Sequence, residues 1–328
     1  MSLMKSLSVS VPAIAVVLSI FSCVVSGTAL SSETNWLSQS VGISFYGLAR
    51  TNRDKLVAVG ARGTVVKLAE DQMLPPGVRV ALTTVGQSSL TGLCAWRDGT
   101  LAMTGQDGAI WRSNDGDSWT RAMIFRSREG AVDEAQASEP LFSCWCGDDG
   151  VGIAVGAFGK ILRTVNYGKE WLTVSVQDDD DYHLYDVFQN RGDLIIIGEA
   201  GRIYRSSDNG QSWLREVSPY NGSLFSGLSI TNGSVLAFGL RGTVLKRSPE
   251  DGDWRVVRAA GQNEPYFVAV EAGQGVLLGG ATGDIDRLHE EKIVNVIKIP
   301  GRPSVMGIAK FNGGYLLATT HGLSIIKP

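Results

Sequence analysis

Short apolar runs recur along the chain, and each ends at a glycine turn. They read KLVAVG from Lys55, TLAMTG from Thr100, VGIAVG from Val151, DLIIIG from Asp193, SVLAFG from Ser234, GVLLGG from Gly275 and YLLAT from Tyr315. Each is followed closely by a second run: TVVKL, AIWRS, KILRT, RIYRS, TVLKR, DIDRL and LSIIK. Apolar positions are contiguous or alternating, not spaced by three and four, so each pair predicts a β-hairpin instead of an amphipathic helix. A further apolar segment precedes each hairpin, as in SFYGLAR, SLTGLCAW, YHLYDVF, SLFSGLSI and YFVAVEA, and a segment opening at Trp follows several of them. The pattern predicts four strands per repeat.

The turn inside each hairpin sets the period. It reads GARG from Gly60, GQDG from Gly105, GAFG from Gly156, GEAG from Gly198, GLRG from Gly239, GATG from Gly280 and, degenerately, TTHG from Thr319. Its last glycine falls at 63, 108, 159, 201, 242, 283 and 322, giving spacings of 45, 51, 42, 41, 41 and 39. Four strands in roughly 40–45 residues is the signature of a propeller blade. The fold expected is all-β, a seven-bladed β-propeller.

A second turn signature precedes the fourth strand. Ser206 to Trp213 reads S-x-D-x-G-x-S-W, Thr164 to Trp171 reads T-x-N-x-G-x-x-W, and shorter versions run from Ser113 to Trp119 and from Ser248 to Trp254. This is the Asp-box pattern of BNR-type propellers. In such a turn Asp208 or Asn166 caps the turn backbone, and Gly210 or Gly168 supplies a positive φ. Trp119, Trp171, Trp213 and Trp254 are expected to pack between blades.

The last repeat stops at Ile325-Ile326-Lys327-Pro328, after its third strand. Asn35-Trp36-Leu37 resembles Ser212-Trp213-Leu214 and Glu170-Trp171-Leu172, which open fourth strands. The N-terminal segment is therefore expected to close the last blade and cover its open edge. Ahead of it, residues 1–29 carry Lys5, an apolar run from Val11 to Val25 and the small-x-small site Gly27-Thr28-Ala29. That is the form of a cleaved secretory signal, too short to span a bilayer. The expected organisation is a signal peptide over 1–29 and a single propeller domain over 30–328. Ile20-Phe21-Ser22-Cys23 departs from a lipoprotein box at Phe21, so Cys23 is expected to leave with the signal.

Composition narrows function. Lys plus Arg number 30 against 33 Asp plus Glu, and no basic excess is available for phosphate backbones, so nucleic-acid binding is not expected. There are three His and no C-x-x-C pair, and neither a metal nor a cofactor is expected. The acidic run Asp178 to Asp181 lacks calcium-loop spacing and reads as a solvated loop. His183 and His321 read as loop residues. The polar stretch from Arg126 to Glu139 reads as an insertion or a flap between blades. After export Cys94, Cys144 and Cys146 remain. Cys144 and Cys146 share one face of a strand, where either could bond Cys94, or all three could serve as small buried groups.

Seven blades, Asp-box turns, G-x-R-G hairpins at Gly60 and Gly239, and an export signal together resemble the photosystem II stability and assembly factor family, over about residues 34 to 328. The resemblance implies a noncatalytic, exported scaffold in the periplasm or thylakoid lumen. It implies a membrane or envelope protein as partner, bound as a monomeric propeller through an arginine-rich patch. Arg62 and Arg241 match the G-x-R-G form. The corresponding places hold Asp107, Phe158, Ala200, Thr282 and His321 in the other turns. All seven turns are expected at one end of the ring, where Arg62, Lys160, Arg202 and Arg241 are the candidate partner-binding residues. Two other readings stand beside this one. One is an accessory subunit of an envelope transport complex. The other is a sialidase-like glycosidase, which would need an R-I-P strand motif that is absent and a Tyr nucleophile. Tyr46, Tyr185 and Tyr266 fall in inner-strand segments, where aromatic packing is the expected use.

Overall fold

The computed structural model describes residues 35–37, 40–51, 55–69, 82–125, 139–176, 181–250, 252–257, 264–273 and 275–327. The segment read as an export signal, the run 126–138 and all but the last residue of the acidic run lie outside the described residues. Seven sheets of four antiparallel strands follow one another around a ring, with sequential strands as neighbours except for the outermost strand of blade 7, and blade 3 adds a fifth, parallel strand. In blade 4 the order from the centre outward is Leu184–Asn190, Asp193–Gly198, Ile203–Ser206 and Leu214–Arg215. The second strand of each blade is the apolar run of the sequence. It is buried along almost its whole length, because blades cover both of its faces.

Blade 7 is made of Val305–Phe311, Gly314–Thr319, Gly322–Ile326 and, outermost, Asn35–Trp36. Blade 3 carries a fifth strand that the repeat pattern does not announce. Met123–Phe125 runs parallel to Glu170–Val174, with Ile124 opposite Trp171.

The core lies between blades, not within them. One cluster joins blades 7 and 1 through Phe311, Leu323, Leu37, Phe45 and Leu56, and another joins blades 3 and 4 through Ile153, Val155, Leu194 and Trp213. Cys94 and Cys146 form a disulfide between the inner strands of blades 2 and 3, with Cα atoms 5.5 Å apart. Cys144 stays a buried thiol in the same cluster, and burial pushes its pKa upward.

The turns ahead of the outer strands are capped as their composition demands. Asp208 accepts the backbone N–H groups of Gln211 (3.0 Å) and Ser212 (2.9 Å) and the hydroxyl of Ser206 (2.7 Å). Gly210 has φ +78°, and a Cβ there would stand 2.3 Å from Ile153 Cδ1, so any other residue would strain the turn and displace that side chain. Asn166 accepts the Glu170 N–H at 3.1 Å, and Gly168 takes the same left-handed conformation. Trp171 and Trp213 are buried, Trp254 nearly so, and Trp119 half so. Trp254 Nε1–H donates to Glu216 at 2.7 Å.

Candidate functional site: the turn face and the channel collar

The inner strands all break register at the same place. Pairing with the second strand skips one residue in every blade: Tyr46, Thr91, Phe142, Tyr185, Phe225, Phe267 and Met306. A bulge leaves its extra residue out of the ladder and re-aims its side chain. Six of the seven are large and apolar, and they meet from six blades in a single cluster, which only the ring axis allows. Ring centroids are 5.7 Å apart for Phe142 and Tyr185, 5.3 Å for Tyr185 and Phe225, and 5.5 Å for Phe225 and Phe267. Thr91 completes the circuit differently, donating its hydroxyl to the Leu141 carbonyl at 2.6 Å.

Ala157, Leu240 and Ala281 from the hairpin turns border this collar, so the collar and the turns share one end of the ring. The first glycine of five of the turns is explained by the approach of the inner strand. A Cβ on Gly60, Gly156, Gly198, Gly239 or Gly280 would come within 2.1–2.3 Å of the carbonyl just ahead of that strand. The third turn residue is left-handed in four blades: Arg62 (φ 54°), Phe158 (φ 53°), Ala200 (φ 51°) and Arg241 (φ 59°). Such a backbone costs a non-glycine residue about 1 kcal/mol or more, so the fold imposes it at these tips.

The four residues read from sequence as partner contacts separate here. Arg62 and Arg241 are exposed at equivalent turn tips, and among the described residues neither guanidinium is bonded to a carboxylate. Arg202 is half-buried, stacked 3.9 Å over the Tyr182 ring and within 3.5 Å of the Ala200 carbonyl. Lys160 corrects the expectation. It is only 6% exposed, its ammonium lies 3.6 Å from Glu139, and it follows its turn into the blade instead of standing on the surface.

The collar is the feature that the sequence reading missed. Its signal was present, since each inner segment carries a core residue and then a second large one: Phe45-Tyr46, Leu141-Phe142, Leu184-Tyr185, Leu224-Phe225, Tyr266-Phe267 and Val305-Met306. Two adjacent large residues break strict alternation, and that break marks the bulge.

Just inside the collar, Asp186 clasps three inner strands. It accepts the hydroxyls of Ser143 (2.7 Å, blade 3) and Ser226 (2.8 Å, blade 5) and the N–H groups of Val187 (2.9 Å) and Gly227 (3.1 Å). Burial nonetheless pushes its pKa upward against those four donors. Burial, with the Glu199 charge, pushes the Tyr185 phenol up to about 12, and the Ser223 hydroxyl opposes this. Burial also raises Tyr266, whose hydroxyl donates to Asp286 at 2.6 Å. Among the described residues no three His, Cys, Asp or Glu side chains gather as a metal site, and no helix is long and apolar enough to cross a membrane.

Fold and site together define the class: a seven-bladed β-propeller with an apolar collar at its turn face. No protein-family model and no curated protein matches the chain. Solved structures do. YCF48 bound to a D1 peptide superposes with a TM-score of 0.68 at 13% identity, covering 90% of this chain and 95% of that one. Virginiamycin B lyase from Staphylococcus aureus gives a TM-score of 0.72 at 11% identity, covering 91% and 99%. The WD40 propeller domain of Doa1 gives 0.65 at 16% identity, covering 90% and 95%. At such identities the likeness establishes the fold.

Proposed function

We propose that this chain is an exported, noncatalytic scaffold that binds a segment of a membrane or envelope protein on its turn face. The observation that carries this reading is the pair Arg62 and Arg241, exposed on equivalent left-handed turn tips and unbonded to any described carboxylate. A guanidinium held without an ion-pair partner beside an apolar collar is ready for bidentate bonds to carboxylates or carbonyls of a bound segment. The likeness to YCF48 bound to a D1 peptide supports a peptide segment as the ligand. The test is capture of partners from solubilised membranes by wild type and by Arg62→Glu plus Arg241→Glu, after circular dichroism shows equal folding. Selective loss of capture at an unchanged melting temperature is expected. Undiminished capture rejects the face.

The virginiamycin B lyase likeness favours a second reading, an enzyme. Incubation with quinupristin, which one of the lyase structures carries, followed by chromatography for its consumption, tests it directly.

A further inference from the structure

Phe158 stands on the blade 3 turn in the place that Arg62 and Arg241 hold on blades 1 and 5. It is 58% exposed, whereas Phe142, Tyr185, Phe225 and Phe267 of the collar are buried. His183, just ahead of the inner strand of blade 4, holds it. The Phe158 N–H donates to His183 Nδ1 at 3.2 Å, and the two rings meet edge to face at 5.0 Å. His183 in turn rests against Phe142 (5.9 Å) and Tyr185 (6.2 Å), and its own N–H donates to Glu199 Oε2 at 3.2 Å.

Because Nδ1 accepts, the proton of the neutral imidazole sits on Nε2, which makes Nε2–H a donor. Among the described residues no acceptor is bonded to it. An exposed aromatic face therefore lies beside an N–H donor that no described acceptor engages. Charges of both signs flank the pair: Asp181 is exposed two residues before His183, Lys160 lies two residues after Phe158 and faces Glu139, Glu199 holds the His183 backbone, and Arg202 stacks over Tyr182. A net charge thus selects neither an acid nor a base here. What fits is an apolar side chain next to a neutral acceptor.

We infer that Phe158 and His183 form a recognition site for one aromatic or large aliphatic residue of a bound segment. Its side chain lies on the Phe158 ring, and its backbone carbonyl accepts the His183 Nε2–H. This rests on the turn face being the partner-binding surface. It adds a neutral, apolar determinant that the arginine tips do not supply.

The test uses two uncharged probes, N-acetyl-L-phenylalanine methylamide and N-acetylglycine methylamide, with binding followed by saturation-transfer NMR on the full chain. Wild type is expected to bind the phenylalanine probe saturably and the glycine probe not at all. Phe158→Ala is expected to weaken the phenylalanine probe at least tenfold. Its turn is already accommodated by this fold, because Ala200 takes the same conformation at the equivalent place (φ 51°). His183→Phe, which keeps an aromatic ring and removes the donor, is expected to weaken it several-fold. The Arg62→Glu plus Arg241→Glu variant should bind the neutral probe like wild type, so failure of the arginine reading is scored separately by partner capture. Equal binding by Phe158→Ala, or equal binding of the glycine probe, or none by wild type, overturns the site.

Discussion

Asn35 lies opposite Ile325, and Trp36 opposite Ser324, so the first described strand and the last are neighbours in one antiparallel sheet. Leu37 continues the contact by donating its N–H to the Leu323 carbonyl at 2.9 Å, and Ser40 Oγ accepts the Leu323 N–H at 2.8 Å. Leu37 is 2% exposed in the cluster that holds blades 7 and 1 together. Leu37→Ala is expected to cost about 2–5 kcal/mol in urea unfolding, by lost burial and the cavity left behind. A protein beginning after Ser40 should lose more and aggregate through the freed edge of Gly322–Ile326. Native stability in that truncated protein would remove any role for the segment in closing the ring.

Two tryptophans in equivalent turns should respond differently to one substitution. Trp171 Nε1–H donates to the Gly168 carbonyl at 3.2 Å, whereas Trp213 Nε1 is buried without a partner. Replacing either with Ala should cost about 3–5 kcal/mol through lost burial. Trp213→Phe should cost less than Trp171→Phe by about 1 kcal/mol, because only Trp171 gives up a hydrogen bond and strands its acceptor. Paired denaturation curves measure the difference.

Strong acid should weaken the capped turns. The N–H groups of Ser118 and Asp117 and the Ser113 hydroxyl hold Asp115 down at about 2, against slight desolvation. For Asp208 desolvation pushes upward, and the hydroxyl and N–H of Ser212, with Ser206 and Gln211, outweigh it and bring the group to about 2. Both are depressed from an unfolded value near 3.9. The stability they add is therefore present above about pH 4 and is lost as pH falls through about 2. Asp208→Asn should lower the melting temperature at pH 6 and flatten its fall between pH 4 and pH 2. A variant that melts with the wild-type acid slope would refute the assignment.

The disulfide and the free thiol give opposite chemical signatures. Cys94 and Cys146 are 52 residues apart, and the chain-entropy relation assigns closure of such a loop about 4 kcal/mol. Reduction, or Cys94→Ser plus Cys146→Ser, should destabilise the ring by an amount of that order in guanidinium titrations. Cys144 should resist alkylation in the native protein and react fully once unfolded, because burial and the Asp186 charge both disfavour its thiolate. Rapid labelling of native Cys144 would contradict its place in the blade 2–blade 3 cluster.

Blade number and strand order were legible because they are written in local terms. A hairpin needs only an apolar run, a turn and another run, and the seven glycine turns count the blades. Arg62 and Arg241 could be placed at turn tips for the same reason, since their neighbours Gly63 and Gly242 declare the left-handed step. Lys160 was misjudged because a residue one step past a turn can point outward or inward. That choice depends on the partner it meets, here Glu139 from the chain before the inner strand of its own blade.

The repeat by itself decided how many sheets form and which segments pair, because strand period and turn chemistry act over a few residues. What waited for the ring to close were relations among blades that are distant in sequence. Cys146 and not Cys144 reaches Cys94, although both lie on one face of the same inner strand, because the packing of blade 2 on blade 3 brings only Cys146 level with it. Tyr46 and Met306 join one collar although some 260 residues separate them, because seven equivalent bulges aim at a common axis. That axis is no property of any single blade. It exists only once the sheets are packed face to face, when burial between neighbours sets their angle and brings six of the seven skipped residues together.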